Sequence, residues 1–214
     1  MTVADHQTAG RGRLDRRWEA PPGSSLLVSV LLRVPGAADA APVLMAAGVS
    51  LADAVESTAG VPVGLKWPND LVVVPAGGSA GGDRKLAGLL AERDGDALVV
   101  GAGCNVNWEA FPPALAETST ACNLEAGHAV DRDALLEAYL TNLDRVLAAP
   151  DAVTAAYRAR LVTLGRRVRV EHPGGTVSLG IAVAVADDGA LVVQDDDGRE
   201  QRVTAADVVH LRPA

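Results

Sequence analysis

Lysine occurs twice in the chain, at Lys66 and Lys85, against seventeen arginines. Both stand in compact segments, Gly64-Leu-Lys-Trp-Pro-Asn-Asp70 and Asp83-Arg-Lys-Leu-Ala-Gly88. Where arginine fills nearly every other cationic position, a retained lysine suggests work for a compact point charge with three rotatable donors, which a planar fork does badly. Such a group suits a phosphate or carboxylate that changes shape and charge during a reaction. A third segment, Gln7-Thr-Ala-Gly-Arg-Gly-Arg13, is followed by Arg16, Arg17 and Trp18. Gly10 and Gly12 free the backbone for close approach to a ligand. With Arg11 and Arg13 beside them, backbone amides and guanidinium groups make an anion cradle.

The neighbours of these residues extend the reading. Pro68 holds Trp67 extended, and Trp67 can shield a pocket wall. Asp70 can order an active-site base or hold a magnesium ion. Small residues after Lys85 let a ligand lie flat on the backbone up to Gly88. Gly101-Ala-Gly-Cys-Asn-Val-Asn107 closes an apolar stretch, and Asn105 can donate or accept near a phosphate. Each segment also has a plainer reading: a solvated basic turn, a core tryptophan in a turn, an edge-strand lysine, a strand end. Gly10-x-Gly12 is not a dinucleotide fingerprint, because Asp15 takes the third position and arginines stand in for a helix N-terminus. The glycine-rich stretch 77–82 lacks the Gly-Lys-Ser/Thr ending of a phosphate-binding loop. His6, His128, His172 and His210 are scattered and read as structural or exposed.

The elements that must position these residues follow from periodicity and punctuation. Leu26 to Val34 is an apolar strand between Pro-Gly boundaries. Residues 41–57 read as a helix, with Pro42 in the first turn and Leu44, Ala47, Leu51 and Val55 at helical spacing. Short strands are expected near 61–66 and 70–74, a glycine-rich loop over 75–82, and strands over 85–92 and 97–101. Asp131 caps a helix running to Leu147, with Leu135, Leu136, Tyr139, Leu140 and Leu143 on its apolar side. A second helix covers 152–164. After Gly165 the texture changes to short β-like runs over 166–171, 176–186, 190–194 and 200–204. Gly174-Gly175, Asp188-Gly189 and Asp197-Gly198 separate them. A small antiparallel barrel is expected there. The expected organisation is therefore α+β, with one domain over 1–164 and a β-barrel domain over 165–214.

Composition excludes several classes. A net charge of −8 argues against a general nucleic-acid binder. Six aromatic residues cannot furnish a base-stacking platform. No apolar run approaches the roughly 20 residues of a membrane span. The chain is polar from Asp5 onward, without the apolar core of a signal peptide. A cytoplasmic protein is expected. Cys104 and Cys122 lack metal-ligand spacing and read as small buried hydrophobes.

Taken together and in order, Gln7 to Arg13 with Trp18, Lys66 to Asp70, Lys85 to Gly88 and Gly101 to Asn105 resemble the biotin protein ligases. The resemblance spans nearly the whole chain. It implies a mixed-sheet catalytic domain related to class II aminoacyl-tRNA synthetases and a C-terminal SH3-like barrel. It implies that biotin and ATP, with Mg2+, give biotinyl-5′-AMP, and that biotin then passes to a lysine of a biotin carrier domain. By resemblance, Lys85, Lys66, Asp70 and Arg13 are catalytic. Gln7, Gly10, Arg11, Arg13, Lys85 and Gly88 bind biotin. Arg11, Gly12, Arg13, Trp18, Lys66, Asn105 and Arg212 bind ATP or the adenylate, with Trp18 on the adenine side and Asn105 reaching the phosphates or magnesium. Asp70 positions the acceptor lysine or the metal.

Two departures from the family pattern stand out. Asp15 replaces a usual glycine of the loop. Only six residues precede Gln7, whereas family members carry a Ser/Thr-Asn element upstream that binds the biotin head group. The expectation is a native start further upstream, and weak or absent biotin binding if the short chain is complete. No DNA-binding helix-turn-helix is expected in this chain. A lipoate-type ligase and a degenerate, non-catalytic fragment are the alternatives, and the family includes both monomers and homodimers.

Overall fold

The computed structural model describes every residue except 15, 35–39, 76–81, 205 and 212–214. Apart from Ser25, Ser29 and Arg33, β2 (Ser25–Arg33) is a run of Leu and Val, and it lies inside a six-stranded sheet. On one side it pairs with β1 (Thr2–Ala4). On the other come β6 (Ala97–Asn105), β5 (Arg84–Asp94), β4 (Asp70–Val73) and β3 (Gly64–Lys66). All neighbouring pairs are antiparallel.

An antiparallel sheet can cover one face and open the other, and its strands then alternate. β6 does this: Leu98, Val100, Ala102 and Cys104 are buried, while Val99, Gly101 and Gly103 line an open cleft. The covered face carries α1 (Ala40–Ala59), flanked by α3 (Arg132–Leu147) and α4 (Pro150–Arg160). Asp131 caps α3, its carboxylate accepting from the amides of Asp133 at 2.9 Å and Ala134 at 3.2 Å. A short α2 (Cys122–Ala126) ends on Gly127 at φ +77°.

The second sheet holds β7 (Arg167–Glu171), β8 (Val177–Val185), β9 (Leu191–Gln194), β10 (Glu200–Val203) and β11 (Asp207–His210). Its order is β10-β9-β8-β7-β11, antiparallel throughout. Gly189 and Gly198 turn two of its hairpins at φ +81°, where a side chain would be strained.

Several expectations need correction. The helix expected over 152–164 ends at Arg160. Leu161 is extended and bridges Leu65, and the Val162 amide donates to the Leu65 carbonyl at 2.9 Å. Pairing with β3 therefore takes the chain out of the helix. The strand expected over 61–66 is regular only at its last three residues. β1, α2 and β11 are too short to show a period and were not expected. α1 is 20 residues long and apolar enough, by length and composition, to cross a membrane, contrary to the expectation that no run comes near that. It is packed as a core helix, with Ala46, Leu51, Ala54 and Val55 fully buried. The expected glycine-rich loop falls largely on 76–81, outside the described residues, as does Asp15. Cys104 and Cys122 are both buried and free. Contact with Cys122 and burial push the Cys104 thiol well up, so it is no ready nucleophile.

Candidate active site

The open face of the six-stranded sheet forms the floor of a cleft of about 510 Å³. Gly88 of β5 pairs directly with Gly103 of β6, so two adjacent positions present no side chain. The indole of Trp18 lies flat in that gap. A Cβ on Gly103 would come within 2.6 Å of Trp18 Cε2, and one on Gly88 within 3.3 Å of Cζ3. The two glycines are thus needed for close approach rather than for backbone freedom. The buried Trp18 Nε1–H, which lies against Gly103, has no protein acceptor.

The hairpin of β3 and β4 sets the reactive groups beside this floor. Lys66 pairs with Asp70 across the turn, and Asp70 pairs with Gly88 on the next strand. Asn69 locks the turn to β5, donating to the Leu89 carbonyl at 2.6 Å while its own carbonyl accepts from the Leu89 amide at 2.9 Å. The Trp67–Pro68 peptide is cis. Lys85 Nζ stands 2.7 Å from Asp70 Oδ1 and 5.6 Å from the Trp18 ring centroid. The Lys85–Asp70 contact is an ion pair rather than an aligned hydrogen bond, since Oδ1 has no hydrogen-bond partner of good geometry. Burial lowers the Lys66 pKa, with Lys85 and Arg166 adding to the effect and Asp70 and Asp83 opposing it.

The loop Gly10 to Trp18 closes one side. Gly10 is buried, and a Cβ there would meet the Trp18 carbonyl oxygen at 2.2 Å. Its own carbonyl accepts from the Trp18 amide at 3.1 Å, so the loop folds back on itself. Arg11 makes a fork-to-fork pair with Glu92 of β5, at 2.8 and 2.5 Å. Arg13 donates to the Ala206 carbonyl at 3.3 Å, and Arg16 pairs with Asp207. The loop therefore joins the first sheet to β11 of the second. Burial lowers the Arg13 pKa, opposed by Asp207 and Asp70. Six cations (Arg11, Arg13, Arg16, Arg17, Lys66, Lys85) and four carboxylates (Asp70, Glu92, Glu171, Asp207) line the cleft. The balance is positive in a chain whose net charge is −8.

Gln7, Arg11, Gly12, Arg13, Trp18, Lys66, Asp70, Lys85 and Gly88 all line this one cleft. Gly10 sits just behind it, on an adjoining depression under the loop. Asn105 does not reach it: the side chain is buried and donates to the Thr120 carbonyl at 3.0 Å. That amide satisfies the chain crossing behind β6, which a strand-end asparagine does as readily as it meets a ligand. Arg212 lies outside the described residues. Glu92 and Asp207, the partners of the loop arginines, were not expected. Acids on ordinary β-runs give no local signal, and only the fold sets them against Arg11 and Arg16.

An antiparallel sheet floor cleared by glycines, a cationic loop and two lysines at its edge describe a site built to handle anions. Profile matches agree: Biotin/lipoate A/B protein ligase family over residues 1–108 and Biotin protein ligase C terminal domain over 163–211. The chain belongs to the biotin protein ligase family. It is 40% identical to the biotin–[acetyl-CoA-carboxylase] ligase of Mycobacterium tuberculosis, covering 99% of this chain and 79% of that one. Identity to the enzyme of the same name from Paracoccus denitrificans is 32%, over 96% of this chain and 88% of that one. The biotin protein ligase of Aquifex aeolicus in complex with biotin and ATP superposes with a TM-score of 0.83 at 26% identity, covering 99% of this chain and 88% of that one.

Proposed function

We propose that the chain is an ATP-dependent biotin ligase that forms biotinyl-5′-AMP and passes biotin to a lysine of a biotin carrier domain in the cytoplasm. The observation that carries this reading is the glycine floor of Gly88 and Gly103, with Lys85 and Lys66 at its edge. In the first step a biotin carboxylate oxygen attacks the α-phosphorus of ATP, and the bond to pyrophosphate breaks. Attack of one anion on another is opposed by repulsion, so fixed positive charge at the meeting point lowers the barrier. Lys85 holds the carboxylate against the phosphate, exchanging its pairing with Asp70 for the ligand. Lys66 faces the same point from the neighbouring hairpin. Arg11 and Arg13 turn from Glu92 and the Ala206 carbonyl to the adenylate as the loop closes. In the second step the amine of the acceptor lysine attacks the acyl carbon and AMP leaves. Asp70, released from Lys85, receives the proton of that amine.

Among the described residues no three His, Cys, Asp or Glu side chains gather to hold a metal. Asp70, once its Oδ1 is released from the Lys85 ion pair, would suit a Mg2+ ion held chiefly by the nucleotide phosphates, as this ion is commonly bound. When bound, that ion neutralises the charge building on the pyrophosphate.

Biotin-dependent exchange of labelled pyrophosphate into ATP tests the reading. The wild-type chain should exchange label only with biotin present, and Lys85→Ala should not. Exchange no faster in the wild type than in this variant would defeat it, and exchange driven by lipoate rather than biotin would favour the lipoate-type alternative.

A further inference from the structure

The Lys66–Trp67 turn is held from outside its own sheet by a chain of buried polar groups that the reaction scheme leaves unassigned. His210 of β11 has Nδ1 2.7 Å from Asp83 Oδ2, and both side chains are under a tenth exposed. Its Nε2 lies 3.1 Å from Thr163 Oγ1. Thr163 is fully buried, and its hydroxyl oxygen accepts the Trp67 amide at 3.0 Å. Arg166 donates to the same Asp83 oxygen at 2.7 Å. Three segments, at Asp83, Thr163 to Arg166 and His210, therefore converge behind the turn that carries Lys66.

Polarity fixes the proton positions. A bare Nδ1 at 2.7 Å from a carboxylate oxygen would set lone pair against lone pair, so Nδ1 carries the hydrogen and donates to Asp83. The Thr163 oxygen already accepts from Trp67, and its own hydrogen has His210 Nε2 as its partner. A neutral ring with the hydrogen on Nδ1 satisfies every member, because Arg166 Nη1, although 3.1 Å from Nδ1, donates to Asp83 Oδ2 at the shorter distance of 2.7 Å. A second proton on Nε2 would turn the Thr163 hydroxyl hydrogen away from the ring and strip it of His210 as its acceptor in a buried site, which costs the desolvation of an unpaired group. The Thr163 oxygen would then divide its two lone pairs between Nε2–H and the Trp67 amide, in place of donating to the ring.

We propose that His210, fixed by Asp83 and acting through Thr163, is a positioning residue that holds the Lys66–Trp67 turn in its reactive place, and does so only as the neutral ring. This inference rests on the ligase reading for its effect on rate. The surrounding charges agree with it. Burial is the largest influence on His210 and lowers its pKa. Lys66 on β3 and Arg166 before β7 also lower it, and Asp83 before β5 opposes them through its hydrogen bond and charge.

The test pairs a rate with a reading of the ring itself. Pyrophosphate exchange is measured from pH 5 to 8 for the wild type, His210→Ala and His210→Gln. A misplaced reacting group costs rate steeply, so His210→Ala should lose about 10-fold or more in kcat at neutral pH with little change in the biotin KM. Glutamine keeps a donor and an acceptor without titrating in this range. His210→Gln should regain most of that loss and lack the acid limb that the wild type shows below the ordinary histidine range. In parallel, nitrogen-labelled wild-type protein should show the Nδ1–H tautomer at neutral pH, with the Trp67 amide shifting at the His210 midpoint. A Trp67 amide indifferent to His210 protonation, the other tautomer, or an unchanged acid limb in His210→Gln would overturn the proposal. Absence of exchange at every pH would count against the ligase reading, and the nuclear magnetic resonance titration would then decide this inference alone.

Discussion

At the scale of the residue, the account turns on Lys85. Its ammonium group stands between Asp70 and the Trp18 ring, half-shielded from water. Charge placed where charge develops contributes more than charge placed elsewhere. Lys85→Ala should lower pyrophosphate exchange on the order of 100- to 1000-fold, with an unchanged circular-dichroism spectrum. Lys85→Arg should rescue little, because a planar fork cannot replace a rotatable point charge beside the indole. A Lys85→Arg variant within a few-fold of the wild type would contradict this role. Lys66, Lys85, Asp70, Arg11 and Arg13 were legible because charged residues beside glycine, proline and tryptophan are uncommon company. Asn105 was misread because a polar residue at a strand end looks the same whether it meets a ligand or a buried carbonyl. His210 was passed over because a lone histidine carries no signal until the fold brings Asp83 and Thr163 to it.

At the scale of the element, the Gly88–Gly103 pair makes the floor, and the alternation of β6 explains why it works. Even-numbered positions from Leu98 to Cys104 are buried against the helices, which turns Gly101 and Gly103 into the cleft. Gly103→Val should fill the floor and displace Trp18, since even a Cβ would approach the indole to 2.6 Å. Biotin binding by calorimetry should weaken at least ~10-fold, with some fall in melting temperature as Trp18 loses its packing on the floor. Unaltered affinity would show that the floor is not where biotin lies. Away from the site, Asp131→Ala should cost about 1 kcal/mol in denaturant unfolding through loss of the α3 cap. Long elements were read well from period and punctuation: α1, α3, β2 and β5. β1, α2 and β11 were missed because each is too short for a repeat, and α4 was overrun because the pull of β3 on residue 161 is a tertiary effect.

At the scale of the whole molecule, the two sheets are tied through the site rather than beside it. Arg16 reaches Asp207, the Trp67 indole donates to the Gly189 carbonyl at 2.9 Å, and Asp83 meets Arg166 and His210. This joint gives stability a defined pH dependence. The His210 pKa is lowered on folding, so the unfolded chain binds the extra proton more readily. Its contribution is complete above the ordinary histidine value of 6.5 and fades as the pH falls through the folded value. Asp83 is also lowered in the folded state, because the hydrogen bonds from His210 and Arg166 outweigh the burial that would raise it. Its contribution is complete above 3.8 and lost in more acid solution. Thermal melts should show stability falling below about pH 6.5 and again below about pH 4. A flat profile across both windows would mean that the joint does not form. The order of the strands, and with it this joint, was not legible in the chain, because sheet order depends on contacts between residues far apart in sequence.

The central claim is transfer of biotin, and intact-mass analysis of a purified biotin carrier domain after incubation with the chain, biotin and MgATP tests it most directly. The predicted result is one added biotinyl group on the acceptor, absent without ATP and absent when the acceptor lysine is replaced by arginine. No added mass, under conditions in which the Mycobacterium tuberculosis ligase modifies the same acceptor, would contradict the account.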